Sequence, residues 1–284
     1  MKGDLWFQRV SVGTTWFWLA AFALIPNVMV VAASLLERGD RDFIRFALSL
    51  ESYRRLLDPL YLRVLWNSLY LAAFSTLTCL AMGYPFAYLL ARVPRRYSRL
   101  LLLLVIIPFW TSSLIRTYAI IIILKTRGVV NNLLLWTGLI QAPLELLHND
   151  LAIFIGLVYT LLPFMVLPLY AAIEKLDPLL VEAARDLGAG WLKTFARVVI
   201  PLTLPGIVAG SMLVFLPALG MFYIPDLLGG ARTLLVGSLI RNQFLAARDW
   251  PFGAALSVVL TAVMTLLLLV YARSRRLAYR GDLP

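Results

Sequence analysis

Six apolar runs, at residues 16–36, 64–90, 100–124, 151–173, 204–228 and 252–271, dictate the solvent in which this chain can fold. Each is about 20 residues or longer, enough for a helix to cross the roughly 30 Å hydrocarbon layer of a bilayer. Helices suit that setting because no water is present to satisfy backbone groups left unpaired. Only 14% of the residues are charged and 61% are hydrophobic, whereas about a quarter of a soluble globule is charged. The expectation is an all-α polytopic membrane protein with six transmembrane helices, forming one domain over residues 1–284. The fifth run is the weakest, interrupted by Pro217 and Pro225. The first follows Lys2 and Arg9 and ends near Ala32, Ala33 and Ser34, as a cleavable signal would. Its apolar stretch is too long for a signal core, so it is expected to remain as an anchor.

The net charge of +11 arises from 26 Lys and Arg against 15 Asp and Glu. These cations sit in short segments between apolar runs, with no basic face interleaved with aromatics, which argues against a nucleic-acid partner. They report topology instead. Six spans leave both termini on one side, together with residues 91–99 and 174–203. Those segments carry Lys2, Arg9, Arg92, Arg95, Arg96, Arg99, Lys175, Arg185, Lys193, Arg197, Arg273, Arg275, Arg276 and Arg280, more than half of all the basic residues. On the other face Glu37, Asp40, Asp42, Glu51 and Asp58 offset the cations of the first loop. The bias puts both termini in the cytoplasm. Glu51 to Leu57 in that outer loop fits a short amphipathic helix as well as an ordinary charged loop. The single cysteine, Cys79, lies in an apolar stretch and reads as core filler.

Residues 174–203 are the most informative loop. Asp177 can cap a helix whose first position is Pro178, and Gly188 can take the left-handed conformation that ends it. A second helical stretch from Trp191 is expected to stop at Pro201. The result is a helix-turn-helix elbow. Leu180, Ala184 and Leu187 share one side of its first helix, while Glu182 and Asp186 are four residues apart on another. Such a knob can enter a groove on a soluble partner. Periodicity alone favours the other reading, a connector lying on the membrane surface.

The run Glu182-Ala183-Ala184-Arg185-Asp186-Leu187-Gly188, followed by Val198, Ile200 and Pro201, resembles the Glu-Ala-Ala signature of ABC importer permeases. Further stretches resemble the permeases of spermidine and putrescine importers, in particular their B-type subunit. These are Pro108-Phe109-Trp110-Thr111 with Leu114-Ile115-Arg116, Leu162-Pro163-Phe164-Met165, Leu167-Pro168-Leu169-Tyr170, Asp226-Leu227-Leu228-Gly229-Gly230 and Arg248-Asp249-Trp250-Pro251-Phe252-Gly253. Permeases for iron, thiamine and other solutes share parts of them.

The resemblance implies a type I, MetI-like permease fold and a non-enzymatic subunit without a cofactor. It also implies that Glu182, Ala183, Ala184, Asp186, Gly188 and Pro201 couple the chain to an ATPase subunit present in two copies. The further partners it implies are a second permease, expected to be a different chain, membrane lipid, and an extracytoplasmic binding protein that delivers polyamine. No Gly-x-x-x-x-Gly-Lys-Ser/Thr phosphate loop occurs in the sequence, so ATP is expected to be hydrolysed elsewhere.

A passage for a flexible polycation should offer carboxylates and aromatic faces. Asp226 and Tyr223 are the best candidates, with Trp110, Tyr118 and Tyr159 as aromatic walls, although each also fits an interfacial belt or a loop cap. Gly83, Pro85, Pro108, Pro163, Pro168, Pro217 and Gly220 interrupt the spans, as a gated pathway or simple helix packing would require. Arg116 is expected to snorkel to the outer interface in a structural role. His148 has no neighbouring His or Cys, so no metal site is expected. A membrane-embedded enzyme would need a nucleophile or paired acids at depth, and an ion-driven transporter would need buried ionisable residues; the spans offer neither set.

Overall fold

A computed structural model describes the backbone of residues 2–39, 43–230 and 233–280, and the side chains within 8–269 outside those gaps and at 272 and 273. Asp40, Asp42 and the side chains of Lys2, Arg275, Arg276 and Arg280, used above for orientation, lie outside the described residues. Among those described, the regular structure is helical except for one two-stranded ribbon. Among the described residues six helical segments are long and apolar enough to cross a membrane: Gln8–Ser34, Pro59–Arg92, Ser113–Trp136, Asp150–Glu174, Trp191–Gly220 and Trp250–Leu269. The chain forms two compact units, Met1–Arg63 with Leu239–Leu267 and Val64–Ser238 with Leu268–Pro284.

The larger unit is built on the fourth and fifth spans. Ile153, Leu157, Leu161, Met165 and Leu169 recur every four residues along the fourth span and are all buried, forming the stripe that a packed helix presents. Two glycines let the fifth span come close. A Cβ on Gly206 would lie 2.4 Å from the Ala172 Cβ, and one on Gly210 would lie 2.8 Å from the Met165 Sδ. This small-xxx-small spacing is a common way for membrane helices to approach. The second span joins them through the Cys79 Sγ, which points at the Val158 carbonyl at 3.8 Å, and through the Tyr84 hydroxyl, 2.8 Å from the Thr203 hydroxyl.

Two expected spans differ from those observed, and proline is the reason in each. In the third run, Pro108 cannot donate to the Leu104 carbonyl and its ring crowds that group. The helix Arg95–Ile106 therefore gives way to a 3₁₀ turn at Ile107–Trp110, and Thr111 becomes extended at ψ 144°. A new helix runs Ser113–Leu124, so the expected run 100–124 is two helices joined at Pro108; after an extended Lys125 a short helix at Val129–Trp136 follows, and the membrane-length segment is Ser113–Trp136. In the fifth run, Pro201 does not end the elbow's second helix. A π-helical turn at Phe195–Val199, closed by the Ile200 N–H donating to the Phe195 carbonyl, carries the helix through the proline. The wider turn relieves the clash that an α-helix would suffer there. The same device precedes Pro26, where the Ile25 N–H reaches the Ala20 carbonyl across a π turn at Ala20–Leu24. The fifth span consequently begins at Trp191 and stops at Gly220, short of the expected Leu228.

In the smaller unit the first span is nearly bare, with 6% of its apolar window buried against 50% for the fourth. Its C-terminal end is the exception. Ser34 is buried and hydrogen-bonds the Tyr53 hydroxyl at 2.7 Å. Strands β1 (Leu36–Glu37) and β2 (Arg45–Leu48) then pair antiparallel, with Glu37 3.9 Å from Arg45.

The helix expected at Glu51 forms over Glu51–Leu56, and Arg55 fastens it. Arg55 Nη1 lies 2.8 Å from the carboxylate of Asp249, whose side chain is 1% exposed. Arg38 Nη1 approaches the same carboxylate at 3.7 Å, and the Phe252 N–H donates to it at 3.2 Å. A charge this deeply buried is costly unless paired, and here two guanidiniums and a helix-starting N–H surround it. The Arg55 guanidinium also covers the Phe252 ring at 4.3 Å. Burial lowers the Arg55 pKa, but hydrogen bonds to Asp249 and Tyr61 outweigh that effect and leave it raised, so the clasp keeps its positive partner at any physiological pH.

Candidate functional site

The elbow forms from local signals. The Asp177 carboxylate accepts the Leu179 N–H at 3.0 Å, Pro178 occupies the first helical position, and the helix runs Pro178–Asp186. Gly188 sits at φ +79°, which L side chains strongly disfavour. The Ala189 N–H returns to the Ala184 carbonyl at 3.1 Å and the Gly188 N–H to Arg185 at 2.9 Å. These paired bonds satisfy carbonyls at the helix end and turn the chain sharply.

The elbow's packed side is carried by Val181, which is buried, and by half-buried Ala184. The rest faces outward. Glu182, Ala183, Asp186, Gly188 and Pro201 are exposed, as are Leu179, Leu180, Leu187, Trp191 and Leu192. Leu187, next to the turn, is 89% exposed. Charged Glu182 and Asp186 thus share the tip with bare apolar side chains, the combination a docking knob requires.

The second arm is gripped by the second span. Trp191 stacks on Phe195 at 5.4 Å, and Phe195 meets the edges of Tyr84 at 5.5 Å and Tyr88 at 6.0 Å. Sequence reasoning missed this aromatic joint. Its signal is the pair Tyr84 and Tyr88, four residues apart on one helix face. The π turn and Thr203 flank the joint, which links the elbow to the second and fifth spans.

The suggested pathway residues are spread out. Trp110 lies in the 3₁₀ turn and is 83% exposed; Tyr118 and Tyr159 are exposed on the third and fourth spans. Among the described residues these three make no ring contact with one another or with Tyr223. Tyr223 and Asp226 are half-buried in the turn that follows the fifth span. That turn, a π-helical Pro225–Gly229, packs against the third and fourth spans.

Arg116 lies in the first turn of the helix that starts at Ser113. It is half-buried, with its guanidinium 5.8 Å from the Phe109 ring, which itself packs edge-on against Phe164 at 4.9 Å. His148 takes φ +62°, and its backbone N–H donates to the Leu228 carbonyl at 2.8 Å, tying the loop before the fourth span to the Pro225–Gly229 turn. Asn149 beside it caps the fourth span, accepting the Ala152 N–H at 2.8 Å.

The chain resembles known proteins in sequence and in fold. Residues 83–280 match the family model described as the binding-protein-dependent transport system inner membrane component. The spermidine/putrescine transport system permease protein PotB of Salmonella typhimurium strain SL1344 is 54% identical over 277 residues, covering 98% of this chain and 96% of that protein. The PotB protein of Escherichia coli K12 is 56% identical over 260 residues, covering 92% and 94%. A solved bacterial ABC transporter that imports the acidic polysaccharide alginate contains a chain that superposes with a TM-score of 0.78 at 20% identity, covering 98% of this chain and 96% of its own, a likeness of fold. With a family model spanning most of its length and relatives above half identity, this chain belongs to the binding-protein-dependent transport system inner membrane components, the multi-pass permease subunits of ABC importers.

Proposed function

We propose that this permease carries polyamines, spermidine or putrescine, delivered by an extracytoplasmic binding protein, and that it forms one half of the channel beside a second, different permease. The identity to polyamine permeases along nearly the whole chain carries the cargo reading. The exposed, part-acidic tip of the elbow carries the coupling reading: Glu182, Ala183, Asp186 and Gly188 dock into one of two ATPase subunits, where ATP is hydrolysed, with half-buried Ala184 packed behind them. Pro201 and the π turn before it carry the stroke into the fifth span. The whole chain works as one permease domain, with residues 174–203 as its coupling loop and both termini in the cytoplasm. Asp226 and Tyr223, with Trp110, Tyr118 and Tyr159, supply carboxylate and ring faces to a passing polycation.

The test is reconstitution with the ATPase, the second permease and the binding protein, followed by uptake of radiolabelled spermidine, putrescine, thiamine and ferric iron. ATP-dependent accumulation of a polyamine alone is the expected result. Accumulation of another solute instead would overturn the cargo reading and leave the coupling reading standing. Glu182→Lys should insert normally yet abolish uptake, because it reverses the charge at the docking tip. Unimpaired uptake by that variant would count against docking there.

A further inference from the structure

We infer that the first two turns of the helix Arg95–Ile106 bind an anionic phospholipid, its phosphate among Arg95, Arg96 and Arg99 and its acyl chains along Leu100, Leu103 and Leu104. Arg92, Arg95, Arg96 and Arg99 are all exposed. Among the described residues none of the four has a carboxylate within 4.0 Å. Arg92 donates to the Tyr88 hydroxyl at 3.0 Å and Arg99 Nε to the Arg95 carbonyl at 3.3 Å, neither of which neutralises a charge. The cluster is therefore self-repelling. Arg95 and Arg96 also occupy the first turn of a helix, where the backbone dipole favours an anion. A phosphate ester relieves both conflicts, and guanidinium is the group best shaped to hold it.

The helix is held in one rotational setting, which selects lipid over other phosphate sources. Ser98 is 3% exposed and donates to the Tyr170 hydroxyl at 3.0 Å. At 100° per residue Arg96 lies about 160° around the helix from Ser98. The side opposite Ser98 therefore carries Arg96 and Arg99 and continues, one turn on, into Leu100, Leu103 and Leu104, each more than half exposed. Charge followed by bare hydrocarbon along one stripe has the polarity of a phospholipid. A free phosphate or a soluble partner would use the arginines and leave the leucines uncovered. This inference rests on the reading that this end of the helix meets the membrane surface, and it is independent of the cargo.

The experiment uses the chain purified with its partner permease and ATPase subunits. Retention of dioleoylphosphatidylglycerol and of dioleoylphosphatidylcholine is compared by native mass spectrometry after delipidation and titration. The complex should retain phosphatidylglycerol selectively. Arg95→Gln/Arg96→Gln/Arg99→Gln should weaken that retention on the order of a hundredfold, at about fivefold per charge. Removing three outer arginines in Arg54→Gln/Arg63→Gln/Arg127→Gln should leave it unchanged. Should the first triple variant misfold, Arg96→Gln alone supplies the comparison with a loss of about fivefold. Equal retention of the two lipids, or undiminished retention by the Arg95/Arg96/Arg99 variants, would overturn the assignment. So would displacement by inorganic phosphate at equal concentration, which identifies a free-phosphate site, or loss of the ATPase subunit with lipid retention intact, which identifies a protein surface. A failed polyamine uptake assay leaves this measurement untouched.

Discussion

Gly188 decides the geometry of the docking tip because its φ of +79° is set by the two returning hydrogen bonds, from Gly188 itself and from Ala189. Space is not the constraint, since a Cβ there would meet nothing within 4 Å. Gly188→Ala should therefore cost about 1–2 kcal/mol of local stability through backbone strain alone. Hydrogen exchange across residues 178–190 should accelerate while the spans keep their protection. Gly188→Asn, which tolerates this region better, should lie between the two. Asp177, Pro178 and Gly188 were legible in the sequence because a cap, a first-turn proline and a left-handed stop act on neighbouring residues. The Asp249 clasp was not, because Arg55 and Asp249 are 194 residues apart and no local pattern links them.

At the scale of the helix, proline was the residue most easily misread. Its missing N–H and its ring predict a break, and at Pro108 a break occurs. At Pro201 the chain instead absorbs one extra residue in a π turn and continues. The sequence carries no mark that separates these outcomes; packing chooses, through the Phe195 joint and the Tyr84–Thr203 hydrogen bond that hold the turn in place. If the π turn exists to accommodate Pro201, the two can be removed together. Deleting one residue from 195–199 in a Pro201→Ala background should restore a regular helix with the elbow at its native angle, and uptake should survive. The deletion alone, with the proline kept, should rotate the elbow by about 100° and abolish uptake. A double variant as inactive as the deletion alone would show that the π turn has another cause. The close approaches at Gly206 and Gly210 were not singled out in the sequence either, although the two stand four residues apart on one helix face.

For the molecule as a whole, the number of spans and the all-helical class were legible because a bilayer demands long apolar runs whatever the tertiary contacts. The ribbon after the first span escaped notice because β1 and β2 hold only two and four residues. That ribbon, the Ser34–Tyr53 bond and the Arg38–Asp249 contact all gather at one end of the first span. Between Gln8 and Leu24 almost every side chain is uncovered. The first span is thus moored like a mast stepped at a single foot, and its order should be graded along its length. Spin labels placed at intervals from Gln8 to Ser34 in the isolated chain should grow steadily more immobile toward Ser34. A flat profile would mean that stiffness, rather than the mooring, governs how this helix moves.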